Sequence, residues 1–371
     1  MQRNILILGA SYGSLLATKL LMAGQAVTLV CTGPTAQLIN REGSRTRFPL
    51  RGKGGLVEIA SRDLPGTLRA ATPEDPALDP AGFDLVVLGM QEAQYGAPGV
   101  RELMARIARA GTPCLAIMNM PPLPYLARIP ELDTGALRAC YADASVWDGF
   151  DPANMTLASP DPQAFRPADA PKNVLEVGLP TNFKAARFAG EAHTALLREL
   201  EAGIEAARYA SEDGALEIPV KLKVHDSAFV PLAKWPMLLA GNYRCIRPDH
   251  MLAIREAVHG DLATSAAVYA WVSALCLRLG AAPEDLVPFE KYAAAAAGLG
   301  KPSSAARALF GGAANIERVD GLVRRIAAQR GMGSAVLDEI VALVDARLAR
   351  NRSVGTTGTA AGGVRALVAA A

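Results

Sequence analysis

Residues 3–31 run from a short apolar stretch through two glycines into a helix, then into a second apolar stretch. That order leaves few folds open. The first stretch ends in Ile5, Leu6, Ile7 and Leu8, a continuous run suited to a parallel strand buried on both faces. Gly9 follows at once, where a strand must turn sharply. Residues 13–23 read as a helix, with Leu15, Leu16, Leu20 and Leu21 on one side and Gly24 at its end. Residues 26–31 (AVTLVC) supply the second strand. Such a βαβ opening points backbone N–H groups and a helix N-terminus at the place where a dinucleotide pyrophosphate binds. Gly9, Ala10, Ser11, Tyr12 and Gly13 are therefore the expected cofactor-binding turn. The glycines form G-x-x-x-G rather than G-x-G-x-x-G. Ser11 stands near the middle position, where its Cβ would crowd a phosphate and its hydroxyl would donate to it. The alternative is an α/β sheet whose glycines serve only close helix–strand packing. The position of the pattern, between an apolar strand and a helix that leads to a second strand, favours the nucleotide site.

With 371 residues the chain has room for two domains. The charge is +2 with both signs interspersed, which gives no electrostatic case for nucleic acid. The five cysteines are scattered without a C-x-x-C pair, as expected of a reduced, cytoplasmic protein. Residues 1–4 are too short for the n-region of a signal peptide, and no apolar run approaches the roughly 20 residues of a membrane span. The four histidines lack metal-ligand spacing, so no metal site is expected.

Thr32 occupies the end of the second strand, the position that normally selects the cofactor. It is neither the acid that binds an NAD ribose nor the base that accepts an NADP phosphate. Arg41, Arg45 and Arg47 follow shortly, which favours NADP and leaves NAD open. Residues 55–60 and 83–90 (FDLVVLGM) read as strands, and the latter delivers Gln91 to the carboxyl edge of the sheet. A helix over 97–110 and a strand over 114–118 bring Asn119 to the same edge. Residues 138–146, 155–157 and 173–177 read as antiparallel additions, and 191–210 as a helix. The rest reads as helical, over about 216–243, 248–258, 260–279, 283–296, 303–310, 314–330 and 333–350. The expected domains are thus 1–190 for the dinucleotide, a connecting helix and linker at 191–214, a helical substrate domain at 215–352, and a loose tail at 353–371.

One segment of the helical half carries chemistry. Lys234 and Asn242 are eight residues apart, about two turns, and share a face with Leu238 between them if the helix is continuous. Trp235, Leu232 and Leu238 would partly desolvate Lys234, the condition that tunes a lysine for proton transfer. The alternative is a lysine snorkelling to solvent.

The whole chain, over roughly residues 3–335, resembles the ketopantoate reductase (2-dehydropantoate 2-reductase) family. The matching landmarks are the turn from Gly9 to Gly13, Asn119 in an Asn-Gly loop, Lys234 and Asn242 in a Lys…Asn-Pro-Leu helix, Ser303 in a Pro-Ser turn, and Asp320 and Gly321 in an Asn-Gly helix. The resemblance implies a Rossmann-like α/β domain followed by an all-α domain, the two-domain plan also found in 6-phosphogluconate dehydrogenase. It implies a nicotinamide cofactor, a homodimer, and reduction of a 2-keto acid with Lys234 as general acid. Asn119 would contact substrate and cofactor, and Asn242 and Ser303 would hold substrate polar groups. The chain departs from the family at Gln91, where a lysine is usual, and at Leu238, where an asparagine is. It also departs at Asn315, where the substrate-binding glutamate falls, and at Arg307, where an aspartate falls. Glu317 is on the wrong face to replace that glutamate. The expected substrate is therefore a small carboxylate-bearing molecule other than ketopantoate, with Arg307, Arg244 or Arg247 as its counter-charge. Two rivals stand beside this reading. One is an opine-type imine reductase using His225 and Asp226, and the other is a nucleotide-binding sensor without catalysis.

Overall fold

The structure, a computed structural model, describes residues 1–50, 55–212 and 214–358. It divides into two compact units. One comprises Met1–Arg128 and Ser145–Asp226, and the other Ile129–Ala144 and the chain from Ser227.

The first unit opens with β1 (Asn4–Leu8), α1 (Gly13–Met22), β2 (Ala26–Val30), α2 (Gly33–Glu42), β3 (Arg45–Pro49), β4 (Leu56–Ala60) and β5 (Thr67–Ala71). It continues with β6 (Leu85–Leu88), α3 (Val100–Ala110), β7 (Cys114–Ile117), α4 (Leu123–Leu126), β8 (Met155–Ser159), β9 (Gln163–Phe165) and β10 (Val174–Leu179). It closes with β11 (Phe183–Ala186), α5 (Glu191–Ala206), β12 (Tyr209–Ser211), β13 (Gly214–Leu216) and β14 (Leu222–His225). The main sheet has the order β14-β11-β8-β7-β6-β1-β2-β5. From β8 to β5 every pairing is parallel. Ile5, Leu6, Ile7 and Leu8 have no exposed surface, as a continuous apolar strand covered on both faces requires. Each such side chain contributes about 1.5–3 kcal/mol of burial. β1 lies between β2 and β6, so the winding reverses there and a crevice opens beyond the carboxyl ends of β1 and β6.

A second sheet, β4-β3-β10-β9, gathers the insertion after α2 and the segment after β8. Here the expected antiparallel additions need correction. β8 pairs parallel to β7 and extends the main sheet, because all five of its residues are buried and no alternation exists to place one face in solvent. β10 pairs parallel to β3 and antiparallel to β9. Residues 138–146 form 3₁₀ turns instead of a strand, opened by Asp133, whose Oδ1 accepts from the amides of Gly135 and Ala136. The expected helix over 216–243 begins instead with β14, parallel to β11. Leu222 and Val224 are buried and Lys223 and His225 half-buried, a period of two. The first unit therefore runs to Asp226, past the boundary expected at 214, and keeps α5 against β14 and α1.

Lys19 of α1 is almost wholly buried, and its Nζ donates to the Ile218 carbonyl at 2.7 Å. Burial, then the Lys221 charge and to a smaller extent that of Arg208, lower its pKa to about 7, against the partial support of Glu217 and Glu205. Between that value and the usual lysine range the unfolded chain binds a proton that the folded one does not, so stability rises with pH. Denaturant midpoints at pH 7 and pH 8.5 are expected to increase, by up to about 1.4 kcal/mol per pH unit. Lys19→Met should flatten that rise, and an equal rise in both proteins would contradict the assignment.

The second unit contains α6 (Lys234–Met237), α7 (Ile254–His259), α8 (Leu262–Leu279), α9 (Phe289–Ala296), α10 (Ser304–Phe310), α11 (Val319–Gln329) and α12 (Ala335–Gly358). α8 corrects the expectation about apolar runs. Its 18 residues have a mean hydropathy of 1.5, long and apolar enough by composition to cross a membrane. In this structure it packs through Val268, Val272, Leu275 and Cys276 among α6, α7 and α9. The expected tail starts inside α12, and residues 359–371 lie outside the described residues.

Candidate functional site

In the first unit the glycine turn sits at the crevice. Gly9 has φ +102°, a conformation that side chains rarely adopt, and its amide donates to the Val30 carbonyl at 2.9 Å. Gly13 lies so close to β1 that a Cβ there would be 2.6 Å from Ile7 Cγ2. Gly13 thus permits close packing, and Gly9 makes the turn. Gly89, which follows β6, completes the group, since its own Cβ would meet the Leu8 carbonyl at 3.2 Å and Gly13 Cα at 3.5 Å. Sequence reasoning passed over Gly89, although a glycine directly after a buried strand was its visible sign.

Among the described residues, no group accepts from the amides of Ala10, Ser11, Tyr12 and Gly13. Amides at a helix start have no acceptor within the helix, and such an N-terminus can meet a phosphate. The Tyr12 side chain turns elsewhere: its hydroxyl donates to the Pro162 carbonyl at 2.7 Å, and its ring packs edge-on against Phe183. Tyr12 therefore offers its backbone. Gly9→Ala should destabilise the protein by about 1–3 kcal/mol through backbone strain alone. The new Cβ would also lie 2.7 Å from Met90 Cγ and 2.9 Å from the Gly89 carbonyl. An unchanged urea midpoint would contradict this account of the turn.

The remaining first-unit candidates take distinct places. Thr32 caps α2 from an exposed position, and its hydroxyl donates to Thr35 Oγ1 at 3.1 Å. Gln91 begins a 3₁₀ turn, its amide donating to Gln94 Oε1 at 3.0 Å. Asn119 is half-buried while every other residue over 112–126 is buried, so it alone in that stretch reaches the surface. The arginines considered for an NADP phosphate are engaged: Arg41 with Glu42, and Arg45 and Arg47 with Glu58. His225 and Asp226 close the first unit at β14, and Asp226 pairs with Arg198 at 2.6 Å, which removes the basis for an imine-reducing pair in the helical unit.

In the second unit the Lys234 segment is not one α-helix. α6 passes into a π turn over Leu238–Asn242 and a 3₁₀ turn over Tyr243–Cys245. The cause is local. The Tyr292 hydroxyl enters at Gly241, where any side chain would overlap it, and donates to the Met237 carbonyl at 3.0 Å. Eight residues at 3.6 per turn overshoot two turns by roughly 80°, and the wider i→i+5 turn takes up that excess. Over 231–246 only Lys234, Met237 and Asn242 escape full burial, which places them on one stripe. Leu238, expected between them, is buried, and Met237 takes that place.

Ser303 is buried and committed to structure. Its oxygen accepts from the Ala306 amide to cap α10, and its hydroxyl donates to the Asn242 carbonyl at 2.7 Å. It positions Asn242 rather than presenting a free hydroxyl to a substrate. Asn315 is exposed and accepts from Arg352 at 3.0 Å, while the exposed Arg307 donates to the Pro302 carbonyl at 2.8 Å. Both have local structural partners on the surface. Arg244 is buried, and burial lowers its pKa despite the Asp261 charge. With Arg247 it lines a cavity of about 300 Å³ whose walls include none of Lys234, Asn242 or Ser303.

The parallel-dominated central sheet with its helices, followed by a helical unit, matches the Rossmann-like two-domain fold of ketopantoate reductases and related dehydrogenases. No protein-family model and no curated sequence matches the chain. Among solved structures it is similar to a candidate ketopantoate reductase from Ralstonia solanacearum, at 17% identity and a TM-score of 0.68, covering 95% of this chain and 99% of that one. It is also similar to a D-mandelate dehydrogenase solved with NADH and anilino(oxo)acetate, at 15% identity and a TM-score of 0.62, covering 94% and 99%. A dimeric ketopantoate reductase from Staphylococcus aureus matches at 10% identity and a TM-score of 0.59, covering 94% and 99%.

Proposed function

We propose that the protein is a nicotinamide-dependent oxidoreductase that reduces a 2-keto acid to the 2-hydroxy acid. The observation that carries this reading is the stripe of Lys234 and Asn242, kept in register by a π turn that Tyr292 imposes. The free amides of residues 10–13 fit a dinucleotide pyrophosphate and would hold it at the N-terminus of α1. A bound nicotinamide supplies the hydride. The protein's part is to take the charge that then develops on the substrate oxygen. Lys234 would stabilise that oxygen and give it a proton, while Asn242 and Asn119 would orient polar groups of the substrate. The ligands named for the mandelate dehydrogenase and the dimer named for the Staphylococcus enzyme favour the same chemistry and a homodimer here. The departures from the family pattern at Gln91, Leu238, Asn315 and Arg307 favour a substrate other than ketopantoate.

The test follows NADPH and NADH absorbance against a panel of 2-keto acids that includes ketopantoate, with and without an amine. Turnover of one keto acid without amine supports the proposal. Turnover that needs the amine would move the protein to the imine reducers. Tight nucleotide binding with no turnover across the panel would favour a sensor.

A further inference from the structure

At the end of β2 the structure has neither a carboxylate for a ribose hydroxyl nor a basic residue of the local sequence. Thr32 is turned to Thr35, and no acid occupies the first turn of α2. A basic group from another part of the chain lies near Cys31, the residue that follows β2. Residues 160–166 lead into and past β9, on the second sheet. Along them Gln163 and Phe165 are exposed, whereas Ala164 and Arg166 are half-buried on the opposite face. Ala164 packs against the same core as Cys31, the residue that directly follows β2. The Arg166 guanidinium and the Cys31 thiol are close enough to influence one another's charge. The segment is also tied down at Pro162, whose carbonyl accepts from the Tyr12 hydroxyl of the glycine turn at 2.7 Å. The segment thus holds the Tyr12 side chain and shares a core with the residue that follows β2.

Among the described residues Arg166 has no ion pair, although it is half-buried. A partly desolvated guanidinium without a carboxylate is an unfavourable arrangement unless an anion meets it. Phosphate is the anion whose geometry a guanidinium fork matches. We propose that Arg166 binds the 2′-phosphate of NADP(H), so that the second sheet, not the β2–α2 junction, sets the cofactor preference. This rests on the proposal above that the first unit binds a nicotinamide dinucleotide.

Calorimetric titration tests it without turnover. NADPH, NADH, 2′-AMP and 5′-AMP are titrated into the full chain and into Arg166→Ala and Arg166→Lys, with circular dichroism to confirm folding. The parent should prefer NADPH to NADH. Arg166→Ala should lose NADPH affinity by about 10- to 100-fold, the range of one charge-assisted hydrogen bond. Its affinity for NADH should not change, Arg166→Lys should fall between, and 2′-AMP should follow NADPH. Equal loss for both dinucleotides, no loss for either, or a parent that prefers NADH would overturn the assignment. A parent that binds neither dinucleotide would overturn the nicotinamide reading itself, and this one with it.

Discussion

Replacing Lys234 by alanine should lower kcat on the keto acid that the parent reduces by roughly 10²–10⁴-fold, the usual contribution of a positioned proton donor. Nucleotide affinity should not change, because the amides of residues 10–13 belong to the other unit. Lys234→Arg separates charge from proton. A guanidinium keeps the positive charge but does not give up a proton near neutral pH, so a variant that stays slow would show that transfer matters beyond attraction. Single-turnover rates at several pH values would read this out. A Lys234→Ala protein with parental kcat would end the general-acid assignment, and attention would pass to Asn119 and Asn242.

The second large effect is on stability. Asp320 has no exposed surface, and its two oxygens accept from Arg318 Nε and Nη2, each at 3.0 Å. Truncating one member of such a buried pair costs about 3–5 kcal/mol, because the other charge stays behind. The lower end is expected for Asp320→Ala, since Arg318 keeps Asp345 at 2.7 Å. The pair also braces the Lys234 segment. The Val319 amide donates to the Tyr243 hydroxyl at 3.1 Å, next to Asn242, and burial followed by the Asp320 charge holds that phenol well above its usual range. Guanidinium unfolding of Asp320→Ala should show the loss as a lowered midpoint with unchanged slope. A shift below about 1 kcal/mol would mean that the pair contributes no more than a surface ion pair does.

What the sequence disclosed follows from how locally each feature is encoded. β1, the turn and α1 were legible because a continuous apolar run and two glycines define them within a few residues. Lys234 and Asn242 were legible as a pair by spacing. Their alignment was not, because Tyr292 lies on α9 and nothing near Gly241 announces it. The place of β8 in the main sheet was missed because Met155–Ser159 is too short to separate a buried parallel strand from an alternating one. β14 was missed although Leu222 and Val224 alternate with Lys223 and His225, since the helical pattern that follows drew the boundary too early. Ser303, Asn315 and Arg307 were singled out through resemblance, and the structure gives each a local partner that alignment to a motif does not encode. Arg166 was invisible for a simpler reason: its neighbour Cys31 lies far back along the chain.

The path of the backbone has a consequence for how the molecule is made. Ile129–Ala144 belongs to the helical unit although the first unit resumes at Ser145. Its partners arrive last: Gln329 and Asp133 exchange two hydrogen bonds at 2.9 and 3.0 Å, and Arg330 pairs with Glu131 at 3.2 Å. During synthesis these contacts of Glu131 and Asp133 cannot form until residues 329 and 330 have emerged. The sheet meanwhile lacks β14 until residue 225 is free. A single cut therefore cannot yield two intact halves. A fragment beginning at Ser227 would lack the piece that holds the end of α11, and any genetic exchange that preserves the helical unit must carry two separate stretches of sequence together.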